Sequence, residues 1–345
     1  MKGKFKILLC SSFGKFDLGS SYFRALIKMN YNVLCFDMEK TFREYYFRLK
    51  TKYERVITLP ILIYMLNKEL INIVKDFNPD LMFIHKGQWI FPKTLIKIKE
   101  FSKATLFNFN PDNPFSKDFG SSSYFVIKSI PIYDCYFIWS KVLMKRLESR
   151  KAKRIHYLPF GWDPYIHYPC KPTPEELKVY SSDITFIGNW EKERECWLSN
   201  LQDYNLSIWG GNYWITRNKN DFLKSCWKGR DIYGEEMSKV CNSSKINLNI
   251  LRLQNKGAHN MRTFEVLGCG GFLLHERTSE ILEIFEEGRD FECFQNIEEL
   301  KSKIDFYIKN DEKRKKIARN GFKAVQKHTY ENRVKEIIKI YEEML

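Results

Sequence analysis

Short apolar runs alternate with stretches of helical periodicity along the first half of the chain. Runs such as FKILLC (5–10) and TLFNFN (105–110) are typical of buried strands, whereas SYFRALIKM (21–29) carries its apolar residues at helical spacing. Because parallel strands require crossovers, this alternation predicts a doubly wound α/β sheet. The other elements predicted here are strands at 33–38, 81–87, 134–140 and 155–161, and helices at 91–101 and 141–150.

A proline-rich stretch interrupts this alternation in the middle of the chain. Residues 162–177, WDPYIHYPCKPTPEEL, contain four prolines, which is typical of a junction between domains. The alternation then restarts, and we predict two Rossmann-like α/β domains over 1–165 and 166–328, followed by a helix over 329–345. The strands predicted in the second half lie at 183–189, 206–212, 246–251, 272–276 and 291–294.

The most apolar run, VITLPILIYML (56–66), is shorter than the ~18 residues of a membrane span and contains Pro60. The N-terminal MKGKFKILLCSS predicts a first strand and not a signal peptide, because no small-residue cleavage site follows it. The nine cysteines are scattered without a Cys-x-x-Cys pair. This pattern predicts reduced thiols, a cytoplasmic location and no metal site.

The net charge of +15 agrees with three classes of partner: nucleic acid, an anionic membrane surface and phosphorylated substrates. Lysines on solvated helix faces, as in 310–327, are an alternative explanation of the same excess. The sequence shows no zinc-ligand set, RNA-binding signature or concentrated basic arm, which argues against nucleic acid. Peripheral contact with the inner face of an anionic membrane therefore stays open.

In the first half, we look for chemistry in the loops that follow strands, because ligands bind beyond the carboxyl ends of parallel strands. Gly14 follows the first strand without the Gly-x-Gly-x-x-Gly spacing of a dinucleotide site, so it belongs to a binding loop or a plain connection. His85 ends a strand and is a candidate base or anion ligand, or a structural histidine. Asp112, after the next strand, is a candidate catalytic carboxylate or an ordinary turn residue.

In the second half, Gly188 and Asn189 end a predicted strand, and Arg194 falls in the first turn of the next helix. A cation there opposes the helix dipole unless an anion is bound, which favours a phosphate-binding role for Arg194. A surface arginine paired with Glu191 or Glu195 is the alternative.

The segment HNMRTFEVLGCGGFLLHE (259–276) predicts the strongest candidate site. Asn260 can cap a new helix, and Arg262 in its first turn adds a planar donor to a terminus that favours anions. Glu265 shares that face and suits bidentate hydrogen bonds to vicinal sugar hydroxyls. Gly268, Gly270 and Gly271 allow close backbone approach or a positive φ at the helix end. An intrahelical Arg262–Glu265 ion pair is the alternative.

These residues resemble the GT-B glycosyltransferases, specifically the group of spore-maturation or spore-coat glycosyltransferase-like proteins. The resemblance is strongest over 183–335, and the first half shares only its α/β pattern and NPDNPF (110–115). The motifs that carry it are SKINLNI (244–250), N-x-R-x-F-E (Asn260, Arg262, Phe264, Glu265), CGGFLL (269–274), FIGNWEKER (186–194) and HTYENRV (328–334).

The resemblance implies two Rossmann-like domains facing a central cleft, with the acceptor side in the first domain and the nucleotide-sugar site in the second. It implies a hexosyltransferase-like enzyme that uses a donor such as a UDP-, GDP- or dTDP-sugar as substrate, with no further cofactor and no divalent metal. Glu265 would meet ribose or sugar hydroxyls, while Arg262 and Arg194 would neutralise the diphosphate. The acceptor would be a glycan, a lipid-linked sugar or a protein, in synthesis of a cell-surface glycan.

The sequence departs from the family at one position. Many retaining members carry a glutamate eight residues before the position of Glu265, where this chain has Gly257, and Glu276 lies too far downstream to replace it. In such folds the last helix often returns to the first domain, although 329–345 could equally pack locally. A nucleic-acid-binding protein and an inactive GT-B sugar-binding protein are the alternative functions.

Overall fold

The computed structural model describes residues 5–45, 51–116 and 121–345, and the chain forms two compact units. Unit 1 contains Met1–Pro159 together with Tyr330–Leu345, and unit 2 contains Phe160–Thr329.

The described residues of unit 1 form a six-stranded parallel sheet flanked by helices. Its strands are β1 (Lys6–Ser11), β2 (Asn32–Asp37), β3 (Leu81–His85), β4 (Thr105–Asn110), β5 (Cys135–Ile138) and β6 (Ile155–Tyr157). Its helices are α1 (Leu18–Lys28), α2 (Lys40–Glu44), α3 (Lys52–Phe77), α4 (Pro92–Phe101), α5 (Tyr124–Ser129), α6 (Lys141–Glu148) and α16 (Tyr330–Glu342). Strands β3 and β5 are buried along their whole length, as expected for parallel strands covered on both faces.

The strand order in unit 1 is β2-β1-β3-β4-β5-β6. The chain passes from β1 to β2 on one side and then to β3 on the other, so the direction of the connections reverses between β1 and β3. Such a switch point leaves a crevice beyond the carboxyl ends of the two strands.

Helix α3 is the largest element that the sequence pattern did not predict. It begins with a capping box between Thr51 and Glu54, ends at Asn78 with φ 48°, and continues through Pro60. Pro60 is exposed, so water can reach the carbonyl that loses its helical hydrogen bond. Residues Tyr53–Phe77 are long and apolar enough to cross a membrane by length and composition, with a mean hydropathy of 1.4 over an 18-residue window. The short, interrupted run predicted at 56–66 is therefore part of a much longer helix.

In the described part of unit 2, five strands form a second parallel sheet. They are β7 (Ser182–Ile187), β8 (Leu206–Trp209), β9 (Ser244–Asn249), β10 (Leu273–Glu276) and β11 (Glu292–Phe294), in the order β11-β10-β9-β7-β8. Its helices are α7 (Pro174–Tyr180), α8 (Lys192–Leu198), α9 (Tyr213–Thr216), α10 (Asp221–Cys226), α11 (Gly234–Ser243), α12 (Met261–Gly268), α13 (Ser279–Ile284), α14 (Ile297–Lys309) and α15 (Asp311–Val325). Here the connections reverse between β7 and β9, which places the switch point of this sheet there.

The division between the units falls after Pro159, whereas the sequence predicts it after residue 165. Trp162 explains the difference, because its indole N–H donates to the Val325 carbonyl at 2.9 Å and its ring is buried. A Cβ added to Gly268 would lie 2.4 Å from that ring. The beginning of the proline-rich stretch therefore belongs to the core of unit 2.

The last helix, α16, belongs to unit 1 and not to the unit that precedes it in sequence. The Tyr330 and Tyr22 rings lie 5.0 Å apart, and Arg333 Nε donates to the Pro159 carbonyl at 2.8 Å. Arg333 is buried. Of the two alternatives for the terminal helix, the structure has the one that returns to the first domain.

Candidate functional site

A cavity of about 180 Å³ lies at the switch point of the sheet in unit 1. It is lined by residues at or after the carboxyl ends of β1, β3 and β4, among them Ser11, Ser12, His85, Lys86, Trp89 and Asp112. Two of the three candidates in this half of the sequence, His85 and Asp112, therefore line one cavity.

His85 is buried at the wall of this cavity. Its Nδ1 is 2.8 Å from Ser11 Oγ, and its ring packs edge-on against Tyr22 and Phe83. Burial lowers the pKa of His85 to about 3, so the imidazole is neutral at physiological pH. A base works best when its pKa lies near the working pH, so this environment is unsuitable for proton abstraction by His85.

Asp112 is more accessible and is ion-paired. Its Oδ2 lies 2.6 Å from Lys86 Nζ, and its backbone N–H donates to Asn110 Oδ1 at 3.0 Å. Lys86 has φ 59° and Gly87 has φ 75°, which turns the chain sharply after β3. A Cβ on Gly87 would lie 2.7 Å from Tyr133 Oη, so only glycine fits. The sequence pattern did not identify Lys86, although His-Lys-Gly directly after a strand is the signal that could have.

Gly14 does not line this cavity among the described residues. Its N–H donates to Asp17 Oδ2 at 2.7 Å, and its carbonyl accepts from Ser20 Oγ at 2.8 Å. These contacts form a local turn before α1, which favours the plain connection over the binding loop.

In unit 2, Gly188 and Asn189 follow β7 at the switch point. Asn189 Oδ1 accepts from the Gly211 N–H at 3.1 Å, and the Gly188 carbonyl accepts from the Trp214 indole at 2.9 Å. The two residues therefore join the loop after β7 to the loop after β8.

Arg194 lies beneath the same switch point and is buried. Its Nε donates to the Ile250 carbonyl at 3.1 Å and its Nη1 to the Asn189 carbonyl at 2.9 Å, so it connects the loops after β7 and β9. Burial lowers the pKa of Arg194 to about 10, which leaves it charged at neutral pH. The predicted alternative, a surface arginine paired with Glu191 or Glu195, does not describe this buried side chain.

Helix α12 begins at the carboxyl edge of the sheet, next to β9. Asn260 caps it by accepting from the Thr263 N–H at 3.1 Å, and its amide exchanges two 3.0 Å hydrogen bonds with that of Asn249. Asn260 thereby fixes the direction of α12, and its side chain is occupied by structural hydrogen bonds.

Arg262 and Glu265 form the intrahelical ion pair that the sequence offers as the alternative to a ligand site, with 2.9 Å between Nη1 and Oε2. Glu265 is buried, and its Oε1 is 3.9 Å from Nε2 of His167. The guanidinium of Arg262 also contacts the Met237 sulfur. His167 lies in the proline-rich stretch, where its position in sequence gives no signal that it meets Glu265.

The glycines after α12 serve different purposes. Gly270 has φ 75°, in the left-handed region, and ends the helix. Gly268 admits the Trp162 ring, and a Cβ on Gly271 would lie 2.7 Å from Asn247 Nδ2. All three are requirements of local packing in unit 2.

The loop after β9 is also fixed from β10. Glu276 Oε2 accepts from the Leu251 N–H at 3.0 Å, and burial raises the pKa of Glu276 above its usual range. Gly257, in the same loop, has φ 83°. Among the described residues no group of three or more His, Cys, Asp or Glu side chains is arranged to hold a metal ion.

The sequence of residues 194–339 matches a protein-family model described as glycosyl transferase-like. The sequence has no significant match among curated proteins.

The structure is similar to several solved structures over nearly their whole length. A glycosyltransferase from Rickettsia africae ESF-5 is 14% identical, with a TM-score of 0.67, 99% of this chain covered and 98% of that one. Anabaena Alr3699/HepE in complex with UDP-glucose is 10% identical, with a TM-score of 0.66 and coverage of 99% and 100%. Sucrose-phosphate synthase from Thermosynechococcus elongatus is 10% identical, with a TM-score of 0.68 and 99% of both chains covered.

At these identities the similarity establishes the fold. The predicted class, an α/β fold with two parallel sheets, is confirmed. The chain therefore has the GT-B fold, and its residues 194–339 match the glycosyl transferase-like model.

Proposed function

We propose that this protein is a glycosyltransferase that moves a sugar from a nucleotide-sugar donor to a glycan, lipid-linked or protein acceptor. The carrying observation is the match of residues 194–339 to a glycosyl transferase-like model, in a chain that has the GT-B fold. A UDP-, GDP- or dTDP-sugar fits the proposal, and Anabaena Alr3699/HepE, of the same fold, is in complex with UDP-glucose.

The proposed donor site uses charge that is fixed before the substrate arrives. Arg262 would stabilise the diphosphate together with the N-terminus of α12, and the buried charge of Arg194 would add to the same field. Glu265 would accept hydrogen bonds from ribose or sugar hydroxyls. Its ion pair with Arg262 holds the carboxylate in place without a donor.

The proposed acceptor site is the cavity of unit 1. We assign proton acceptance from the acceptor hydroxyl to Asp112, because His85 is buried with a pKa of about 3. Gly257 provides no carboxylate, so no nucleophile or stabilising base is assigned to that position. The membership in the spore-coat-like group and the cytoplasmic location stay predictions. Nine unpaired cysteines, all in the described ranges, support a reducing compartment.

The test is donor binding and turnover with purified protein. A panel of UDP-, GDP- and dTDP-sugars is screened by thermal shift and by release of the nucleoside diphosphate. Arg262→Ala and Glu265→Ala are each expected to weaken binding of the preferred donor at least tenfold, about 1.4 kcal/mol, because a charged hydrogen-bond partner is lost.

Arg289→Ala and Glu286→Ala are the matched controls, since they break an exposed ion pair of the same i,i+3 spacing in the same unit. They should leave donor binding unchanged. If both α12 variants still bind the donor, the donor site does not include Arg262 and Glu265. A protein that no nucleotide sugar stabilises, but that binds DNA or RNA tightly and with strong salt dependence, would contradict the transferase proposal.

A further inference from the structure

We propose that the outward face of α3 is a docking surface for the headgroup region of an anionic phospholipid bilayer. This surface, termed here the α3 face, is independent of the candidate donor site in unit 2. It is formed by Tyr53, Val56, Ile57, Ile61, Tyr64 and Met65, each between 50 and 76% exposed.

The α3 face is unusual because the opposite side of the same helix is apolar as well. Leu62, Ile63, Leu66 and Leu70 are buried in unit 1 and account for the packing of the helix. The exposed residues of the α3 face therefore do not contribute to packing the helix against unit 1. Scattered apolar residues are normal on a surface, whereas six along one helix face mark a site of interaction.

The distribution of charge along α3 specifies the kind of partner. Residues 56–67 contain no charged side chain, and Arg55 and Lys68, both exposed, lie at the two ends of this run. Within α3 as a whole the sequence has four basic and three acidic residues, and Glu54 and Glu69 adjoin Arg55 and Lys68. An uncharged apolar band with charged residues at both ends is complementary to acyl chains beneath polar headgroups, and the net charge of +15 favours anionic ones.

Tyr53 and Tyr64 strengthen this assignment. They are the two most exposed residues of the α3 face, and an aromatic ring with a polar tip prefers the boundary between headgroups and acyl chains. The net charge of +15 adds attraction over longer range.

The structure favours a helix that lies on the bilayer over one that crosses it. Asn67 is buried, and its Nδ2 donates to the Trp89 carbonyl at 2.8 Å, while its Oδ1 accepts from the Phe91 N–H at 2.8 Å. A spanning helix would have to break these bonds and expose the core of unit 1. Although the helix is long enough to span, its contacts within unit 1 support docking parallel to the surface.

Membrane docking at the α3 face also indicates which class of acceptor the protein uses. Trp89, which Asn67 ties to α3, lines the cavity of unit 1. Among the proposed acceptors this connection favours a lipid-linked one. That last step rests on the proposed function, whereas membrane docking itself does not.

The experiment is flotation of the purified full-length chain with vesicles of phosphatidylcholine alone or with about 30% phosphatidylglycerol, whose anionic headgroups give the vesicle a negative surface potential. We expect flotation with the anionic vesicles, weakened by high salt. Ile57→Asp/Ile61→Asp should reduce the bound fraction at least tenfold, because two charges would enter the apolar layer. Arg55→Gln/Lys68→Gln should reduce binding and its salt dependence.

The matched control is Ile96→Asp/Val179→Asp, which adds the same charge at exposed apolar positions on other helices. Circular dichroism and the melting temperature verify that each variant is folded. Absence of flotation for the unchanged chain, or equal flotation of the α3 and control variants, would overturn the proposal. A vesicle-independent dimer that Ile57→Asp/Ile61→Asp dissociates would show instead that the face binds a second copy. Donor-induced thermal shifts measured without vesicles test the proposed function separately.

Discussion

At the scale of single residues, burial decides which candidate side chains can change their charge. His85 and His275 are both fully enclosed, and burial lowers their pKa values to about 3 and about 4. His275 donates or accepts at Thr263 Oγ1 over 2.9 Å, and His85 does so at Ser11 Oγ. Their hydrogen bonds belong to the neutral ring, so both histidines act as fixed polar packing groups near pH 7.

Because burial lowers the pKa of His85, we expect the protein to lose stability in mild acid. The unfolded chain takes up a proton on this residue below its ordinary pKa of about 6.5, whereas the folded chain does so only near pH 3. Between these values the unfolded state binds more protons, so the free energy of unfolding falls as the pH falls, by about 1.4 kcal/mol per pH unit for this one group. His85→Asn should remove that contribution.

Urea denaturation at pH 7 and pH 5 gives the free energy of unfolding of the unchanged chain and of His85→Asn. The change between the two pH values is compared, so a loss of stability that the substitution causes at pH 7 does not affect the result. His275→Asn is a second test, because the pKa of His275 is lowered to about 4 and the free energy of unfolding should again fall with pH, over a narrower range. Identical pH dependence in the unchanged chain and in His85→Asn would contradict the assignment of a neutral buried ring.

The sequence identified several candidate residues by their position after strands, but it did not reveal their partners. The alternating asparagines of INLNI illustrate the reason. Asn247 bonds the Cys241 and Phe272 carbonyls, and Asn249 bonds the amide of Asn260, across 6 to 25 residues of chain. A local sequence pattern does not reveal contacts between residues that are distant along the chain. The contact between His167 and Glu265 could not be predicted for the same reason.

At the scale of elements, the strands were predictable because parallel strands are continuous apolar runs bounded by turns. The strand predicted at 105–110 coincides with β4, and most others differ by a few residues at their ends. Short helices such as α9 (Tyr213–Thr216) offer less than two turns of periodicity and were missed. Helix α3 was missed for another reason, since it is apolar on two faces and contains a proline.

Asn67 is expected to be the main polar anchor of α3. Asn67→Ala leaves the Trp89 carbonyl and the Phe91 N–H without their side-chain partner, and we expect a loss of about 2 kcal/mol or more in the free energy of unfolding. Asn72→Ala, at an exposed position of the same helix, should cost less than about 0.5 kcal/mol. Chemical denaturation compares the two variants, and equal losses would show that α3 is held by apolar packing alone.

At the scale of the whole molecule, the two units differ in how the chain builds them. Unit 2 is one continuous stretch, whereas unit 1 needs residues from both sides of it. Val334, Ile337 and Ile338 of α16 are buried where they meet Ile7 and Leu26 of unit 1. The periodicity of 329–345 predicts a helix, but the sequence alone leaves both docking partners open, because an apolar face does not specify what it covers.

Removing residues 330–345 should therefore destabilise the sheet at the other end of the sequence. The deletion exposes the Tyr22 ring and the apolar surface beside β1 and β3, so faster amide hydrogen exchange is expected in these strands. Strands β7 and β9 of unit 2 should keep their protection. A chain lacking only residues 343–345 is the control, and unchanged exchange in β1 after the longer deletion would refute the role of α16.

The return of α16 to unit 1 has a consequence for biosynthesis. A ribosome delivers the first 159 residues while the helix that completes their core has not been translated. Unit 2 is then made in full, and it can close before unit 1 does, although it emerges second. During that interval the nascent unit 1 exposes apolar side chains that α16 later contacts, among them Ile7, Leu26 and Tyr22, and such surface is prone to aggregation.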